Sequence, residues 1–127
     1  VVAISDHNYD MGSLYVNDGQ WRIIGPTGAG PQKWGAGGEM ETWVSRDEGA
    51  TWRKERALTT ASDFNHSYAR RPLHAHPDFA VFWADGNPQR LTKSHLYFAN
   101  ADGSRVFRLP YTMSESFARP GEIPPQE

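Results

Sequence analysis

Between residues 65 and 79 the chain reads NHSYARRPLHAHPDF, which gathers three histidines, a tyrosine and two adjacent arginines. Imidazole and phenol groups pass protons, and a guanidinium clamps a carboxylate or sulfate through parallel hydrogen bonds. In an extended segment successive side chains alternate between two faces. His66, Tyr68 and Arg70 then share one face, and Ser67, Ala69 and Arg71 share the other. The first set suits proton transfer beside an anchored anion. Each member also has a structural reading: His66 as a histidine hydrogen-bonded within its own sheet, Tyr68 as a capped core aromatic, and Arg70 or Arg71 as the partner of Asp78 or Asp85. His74 and His76, flanked by Pro72 and Pro77, have the spacing of a chelating pair. No third ligand accompanies them, so no metal and no cofactor is expected, and they count with Arg71 as substrate contacts.

These residues need a scaffold, and composition indicates which kind. The 127 residues include 12 Gly, 9 Pro, five Trp, five Tyr and six Phe. Aromatic side chains favour pleated surfaces while Gly and Pro punctuate short strands, so the expected class is all-β, in one modest domain. A net charge of −2 gives no reason to expect nucleic acid as a partner. No stretch is apolar enough to predict a membrane span, and without cysteine neither disulfides nor thiolate metal sites can form.

Eight strands and no helix are predicted. SLYVN and QWRII flank Asp18-Gly19, a two-residue hairpin signal. After the loop PTGAGPQKWGAGG, which reads as mobile and could present Trp34 to a sugar ring, come EMETWVS and TWRKERAL. The second half repeats the plan with SYARR, FAVFWAD, HLYFAN and VFRL. Ser45, Asp47 and Trp52 fall 55 residues before Asn100, Asp102 and Phe107. Four-stranded antiparallel units at such a period are the signature of β-propeller blades. The first blade spans about 10–59, the second about 65–110, and 111–127 reads as a linker or tail. Two blades cannot close a ring and leave apolar faces uncovered, so the chain is expected to be a fragment completed by further blades or by self-association.

Residues 45–52, SRDEGATW, fit the Asp-box pattern Ser/Thr-x-Asp-x-Gly-x-Thr-Trp at every specified position. Ser45, Asp47, Gly49, Thr51 and Trp52 form this structural box: the carboxylate accepts amide bonds across the turn, glycine takes positive φ, and the indole packs beneath the loop. A weakened copy recurs in the second blade. The box resembles the BNR repeats of sialidase-like β-propellers. The longer run GSLYVNDGQWRIIGPTGAGPQ, GGEMETWVSRDEGATW, NHSYARRPLHAHPDFAVFWADG and LYFANADGSRVFRLP is similar to the BNR-4 type, which includes ulvan-lyase-like polysaccharide lyases.

That resemblance implies a secreted or periplasmic carbohydrate-active propeller whose partner is an acidic polysaccharide. It implies β-elimination on a uronic-acid-containing acidic or sulfated glycan, with Arg neutralising the sugar carboxylate and His and Tyr supplying the base and the acid. His66, Tyr68 and Arg70 are the first candidates, on an inner strand facing a central channel. Tyr9 and Arg22, at the corresponding end of the preceding blade, are the second. Two alternatives stay open. FRLP at 107–110 resembles the Phe/Tyr-Arg-Ile-Pro triplet of sialidases, pointing to a glycoside hydrolase; a propeller can also bind glycan or protein without chemistry.

Overall fold

The computed structural model describes residues 14–124. These form two antiparallel sheets and no helix. The first is a meander of β1 (Leu14–Asn17), β2 (Gln20–Pro26), β3 (Met40–Ser45) and β4 (Arg53–Ala57). The second runs β5 (Asn65–His66), β6 (Val81–Gly86), β7 (Leu96–Ala99), β8 (Val106–Arg108) and β9 (Gly121–Ile123). Asp18 and Gly19 both take positive φ between β1 and β2, as the two-residue hairpin requires. The segment expected to be a tail contributes β9, which pairs with β8. Its alternation is too short to signal a strand on its own; the exposed edge of β8 and the Arg105–Glu122 ion pair at 2.9 Å hold it there.

The core lies between the sheets. Tyr15, Ile24, Met40 and Val44 project from the first sheet, and Val81, Trp83, Tyr97, Ala99 and Val106 from the second, all buried. The two sets follow the period of two within each strand, so burial selects one register. Trp83 and Tyr97 are cross-strand partners whose rings stack with centroids 5.5 Å apart. The Tyr15 hydroxyl donates to the Ala80 carbonyl at 2.7 Å, tying the sheets together.

The turn at 45–52 is closed by side-chain hydrogen bonds. Asp47 accepts from the Thr51 amide at 2.8 Å, the Thr51 hydroxyl at 2.5 Å and the Ser45 hydroxyl at 2.7 Å. These bonds, those of Thr51 first, draw the carboxyl down to about 2. Trp52 Nε1 donates to the Gly49 carbonyl, and Trp21 packs over the same turn. The second copy is built differently: Asp102 accepts from Ser104, two residues on, and Asn100 accepts the Arg105 amide.

The loop PTGAGPQKWGAGG, which reads as mobile, is anchored by hydrogen bonds to Asn65. Asn65 Oδ1 accepts from the Gln32 amide at 2.9 Å, and Asn65 Nδ2 donates to the carbonyls of Gln32, Trp34 and Gly35 at 2.8–3.1 Å. The Asn65 amide itself donates to Gln32 Oε1. A Cβ at Gly30 would lie 2.0 Å from Asn65 Oδ1, so glycine serves close approach there.

Two outcomes test this account. Gly49 has φ +88° and a Cβ there would sit 3.0 Å from the Trp21 ring, so Gly49→Ala should lower the free energy of unfolding by about 1–3 kcal/mol in urea titration. Asn65→Ala leaves several loop groups without partners; limited proteolysis should then cut within 27–39 far faster than in the parent chain.

Candidate functional site

The inner-strand trio is divided. Ser67 donates its amide to Ala84 O at 2.7 Å, and Arg70 exchanges backbone bonds with Phe82 at 2.8 and 2.9 Å. Three steps along one strand thus match two along the other. Ser67 Oγ accepts the Ala84 amide at 3.0 Å in place of a backbone carbonyl. This bulge reverses the alternation. His66 and Ala69 point inward, at 1% and 2% exposure, while Tyr68 and Arg70 lie outside the core, the guanidinium 5.8 Å from the phenol ring centre. The shared face expected from the spacing is therefore not formed.

His66 is committed at both ring nitrogens. Trp83 Nε1–H donates to Nδ1 at 3.1 Å, which leaves the proton on Nε2, 2.9 Å from Ser62 Oγ. Ser62 in turn donates to Glu39 at 2.8 Å. Serine, histidine and glutamate thus meet, but with the hydrogen bonds running the wrong way for a nucleophile: the imidazole donates to the serine, so it cannot accept the hydroxyl proton. Burial depresses the His66 pKa, partly offset by the charges of Glu39 and Asp85. Burial alone would raise the Glu39 carboxyl, yet bonds from Thr59 and Ser62 hold it below the usual range.

The other expected residues are dispersed. Arg22 bridges the sheets, donating to Ala101 O at 3.3 Å and Glu55 at 3.1 Å. Arg71 lies over the Tyr15 ring at 4.9 Å and donates to Leu14 O, so neither Asp78 nor Asp85 is its partner. His74 and His76 are exposed on the β5–β6 connection, where His76 Nδ1 accepts the Asp78 amide. Trp34 is 65% exposed on the pinned loop, with Lys33 at 5.1 Å from its ring. Tyr9 lies outside the described residues. Among the described residues no three His, Cys, Asp or Glu side chains are grouped to hold a metal.

A different cluster lines another cleft. It has a volume of about 400 Å³ and opens between the 59–64 connection and the ends of β6, β7 and β8. Asp85 Oδ1 accepts the His95 amide at 2.6 Å, and Oδ2 accepts the Tyr97 hydroxyl at 2.7 Å and faces His95 Nδ1 at 3.3 Å. Tyr97, Asp85 and His95 therefore form one hydrogen-bonded relay, and Arg108, opposite Tyr97 on β8, lines the same cleft. Burial, then the bond to Asp85, raises the Tyr97 pKa, so the phenol stays neutral and does not serve as a base at physiological pH. His95, oriented through Nδ1, keeps Nε2 for proton exchange, and Arg108 supplies a positive charge beside it.

Sequence reasoning missed this cluster, although the same alternation puts His95 and Tyr97 on one face of SHLYFAN. The cross-strand register, Tyr97 opposite Arg108, completes it. No family model, curated protein or solved structure matches the chain.

The state of His66 has a measurable consequence. Its folded pKa lies below the ordinary value of 6.5, so the unfolded chain takes up a proton that the folded chain refuses. Stability should be full above that value and fall as pH drops below it. The expected outcome is a declining urea midpoint over that window, with a flatter dependence in His66→Gln; equal slopes would contradict the buried neutral imidazole.

Proposed function

We propose that this chain forms two adjoining blades of an Asp-box β-propeller that acts on an acidic, uronic-acid-containing polysaccharide by β-elimination. The observation that carries the reading is the relay in the cleft. Elimination requires a cation against the sugar carboxylate, a base for the proton on the adjacent carbon and a proton for the departing oxygen. Arg108 fits the first requirement and the Asp85-oriented His95 the second. His95 Nε2 would take the proton, the carbon–carbon double bond would form as the glycosidic carbon–oxygen bond breaks, and the departing oxygen would be protonated from solvent or by the imidazolium. Tyr68 and Arg70 then belong to the outer surface of the second blade and His66 to its frame.

The propeller reading draws support from the complete Asp box, the two successive meanders and their outward faces. Leu14 and Val16 are 45% and 56% exposed on the first sheet, and Phe79 and Leu96 are 40% and 43% exposed on the second. Phe79, Phe98 and Phe107 form a row with centroids 4.8 Å apart, the first pair tilted and the second stacked. Such faces are what further blades, or a second copy, would bury. A secreted or periplasmic setting fits a polysaccharide substrate.

One observation favours a second reading. Arg108 is the arginine of FRLP, and its place in the cleft equally serves carboxylate recognition by a sialidase-type hydrolase. Incubating the blade-complete protein with uronate polymers and following ultraviolet absorbance of the unsaturated product separates them. Appearance of that product, lost by at least about a hundredfold in His95→Gln and retained in Tyr68→Phe, is the expected result. Release of sialic acid instead would select hydrolysis, and binding without product would leave a glycan-binding propeller.

A further inference from the structure

The edge strand β9 is held to the second sheet by little. It has three residues, two of them exposed, and its apolar contact with the core is Ile123, opposite Val106. Its charged contact is Glu122, which accepts two hydrogen bonds from the Arg105 guanidinium at 2.9 and 3.0 Å in an exposed ion pair. The connection that leads to it is looser still. Residues 110–119 are exposed at every position, Phe117 at 77%. Among the described residues no backbone hydrogen bond reaches that stretch, the last before it running from Leu109 N to Leu96 O. Tyr111 meets the His95 ring edge-on at 6.0 Å. Few buried contacts and an ion pair in solvent put a segment at the low end of local stability.

β9 also stands where two cavities meet. Glu122, Ile123 and Pro124 line the cleft of the relay. Arg119 and Gly121 line a second pocket of about 360 Å³, between the end of β8 and the returning chain. His95 and Arg108 border both. We propose that β9 is a releasable strap latched by Arg105 and Glu122: seated on β8 it divides the two cavities, and lifted it joins them into one trough along His95 and Arg108. Release unmakes three residue pairings, the exposed ion pair and the burial of one isoleucine. Because β9 lies at the edge of its sheet, it can leave without breaking the pairing of β6, β7 and β8. The strap rests on this packing alone, whereas its service as a gate that admits a polymer along its length rests on the function proposed above.

Amide exchange of the full chain, followed residue by residue by NMR, tests the release. Amides shared by β8 and β9 should exchange at least about tenfold faster than those shared by β6 and β7, and Glu122→Gln should speed the first set by about two- to fivefold more. Lys54→Gln, which removes an ion pair of the first sheet, should leave both sets unchanged. Equal protection of the two sets would overturn the strap, and indifference to Glu122→Gln would overturn its latch. A reversible bridge tests the gate. Val106 and Ile123 are cross-strand partners and the chain has no cysteine of its own, so Val106→Cys with Ile123→Cys forms a single disulfide that reduction reopens. Diethyl pyrocarbonate should modify His95 several times more slowly in the oxidised form than in the reduced form, while His74 and His76, exposed on the β5–β6 connection, react alike in both. Both forms carry the same two substitutions, so the packing they alter cancels from the comparison. Equal rates at His95 would overturn the gate. A strap that opens in a protein forming no unsaturated product would overturn the lyase reading alone, and turnover of long polymer unaffected by the bridge would overturn this inference alone.

Discussion

The side-chain amide of Asn65 is the constraint from which the loop end of the molecule takes its arrangement. One oxygen and one nitrogen take up an amide and three carbonyls of the 27–39 loop. Because the loop is fixed to the first residue of β5, the backbone bridge from His66 to Gly37 follows, with His66 N donating to Gly37 O at 2.8 Å. The next side chain must then enter the interior. His66 is tolerated there because Trp83 and Ser62 meet both its nitrogens and burial keeps it neutral.

From that buried imidazole the packing spreads to the site. Its ring lies edge-on to Tyr97, at 5.5 Å, and Tyr97 stacks on Trp83. The aromatic layer therefore fixes the phenol whose hydroxyl donates to Asp85 beside Arg108. Two polar networks share this layer but differ in solvent access. The inner one, Glu39–Ser62–His66–Trp83, has its hydrogen bonds fully allotted and serves the frame. The outer one, Tyr97–Asp85–His95 beside Arg108, borders open volume and leaves an imidazole nitrogen available.

Much of the local architecture was legible beforehand. The Asp18-Gly19 hairpin and the alternations of β3, β6 and β7 depend on residues close in sequence and appear where the pattern implies, whereas the alternation expected of SYARR does not. The 27–39 loop was misread because glycine content reports conformational freedom and equally reports close approach; only the position of Asn65 distinguishes them. The weakened box kept its turn yet changed its bonds, since glycine moved from the position of Gly49 to that of Glu48 and Asp102 had no threonine four residues on to bind. β9 escaped notice because three residues of edge strand acquire their form from β8.

The sequence by itself determined an all-β chain with period-two strands, a hydrogen-bonded turn at 45–52 and a supply of His, Tyr, Arg and Asp side chains. Tertiary structure decided which of them meet. A single extra residue between Ser67 and Arg70 turned the trio to different faces, and the pairing of β6, β7 and β8 assembled another set from segments 23 residues apart, Asp85 to Arg108. The physical reason is that alternation is a property of one strand, whereas register and bulges are set by hydrogen bonds and burial between strands. A one-residue shift leaves the local pattern intact and exchanges everything it faces.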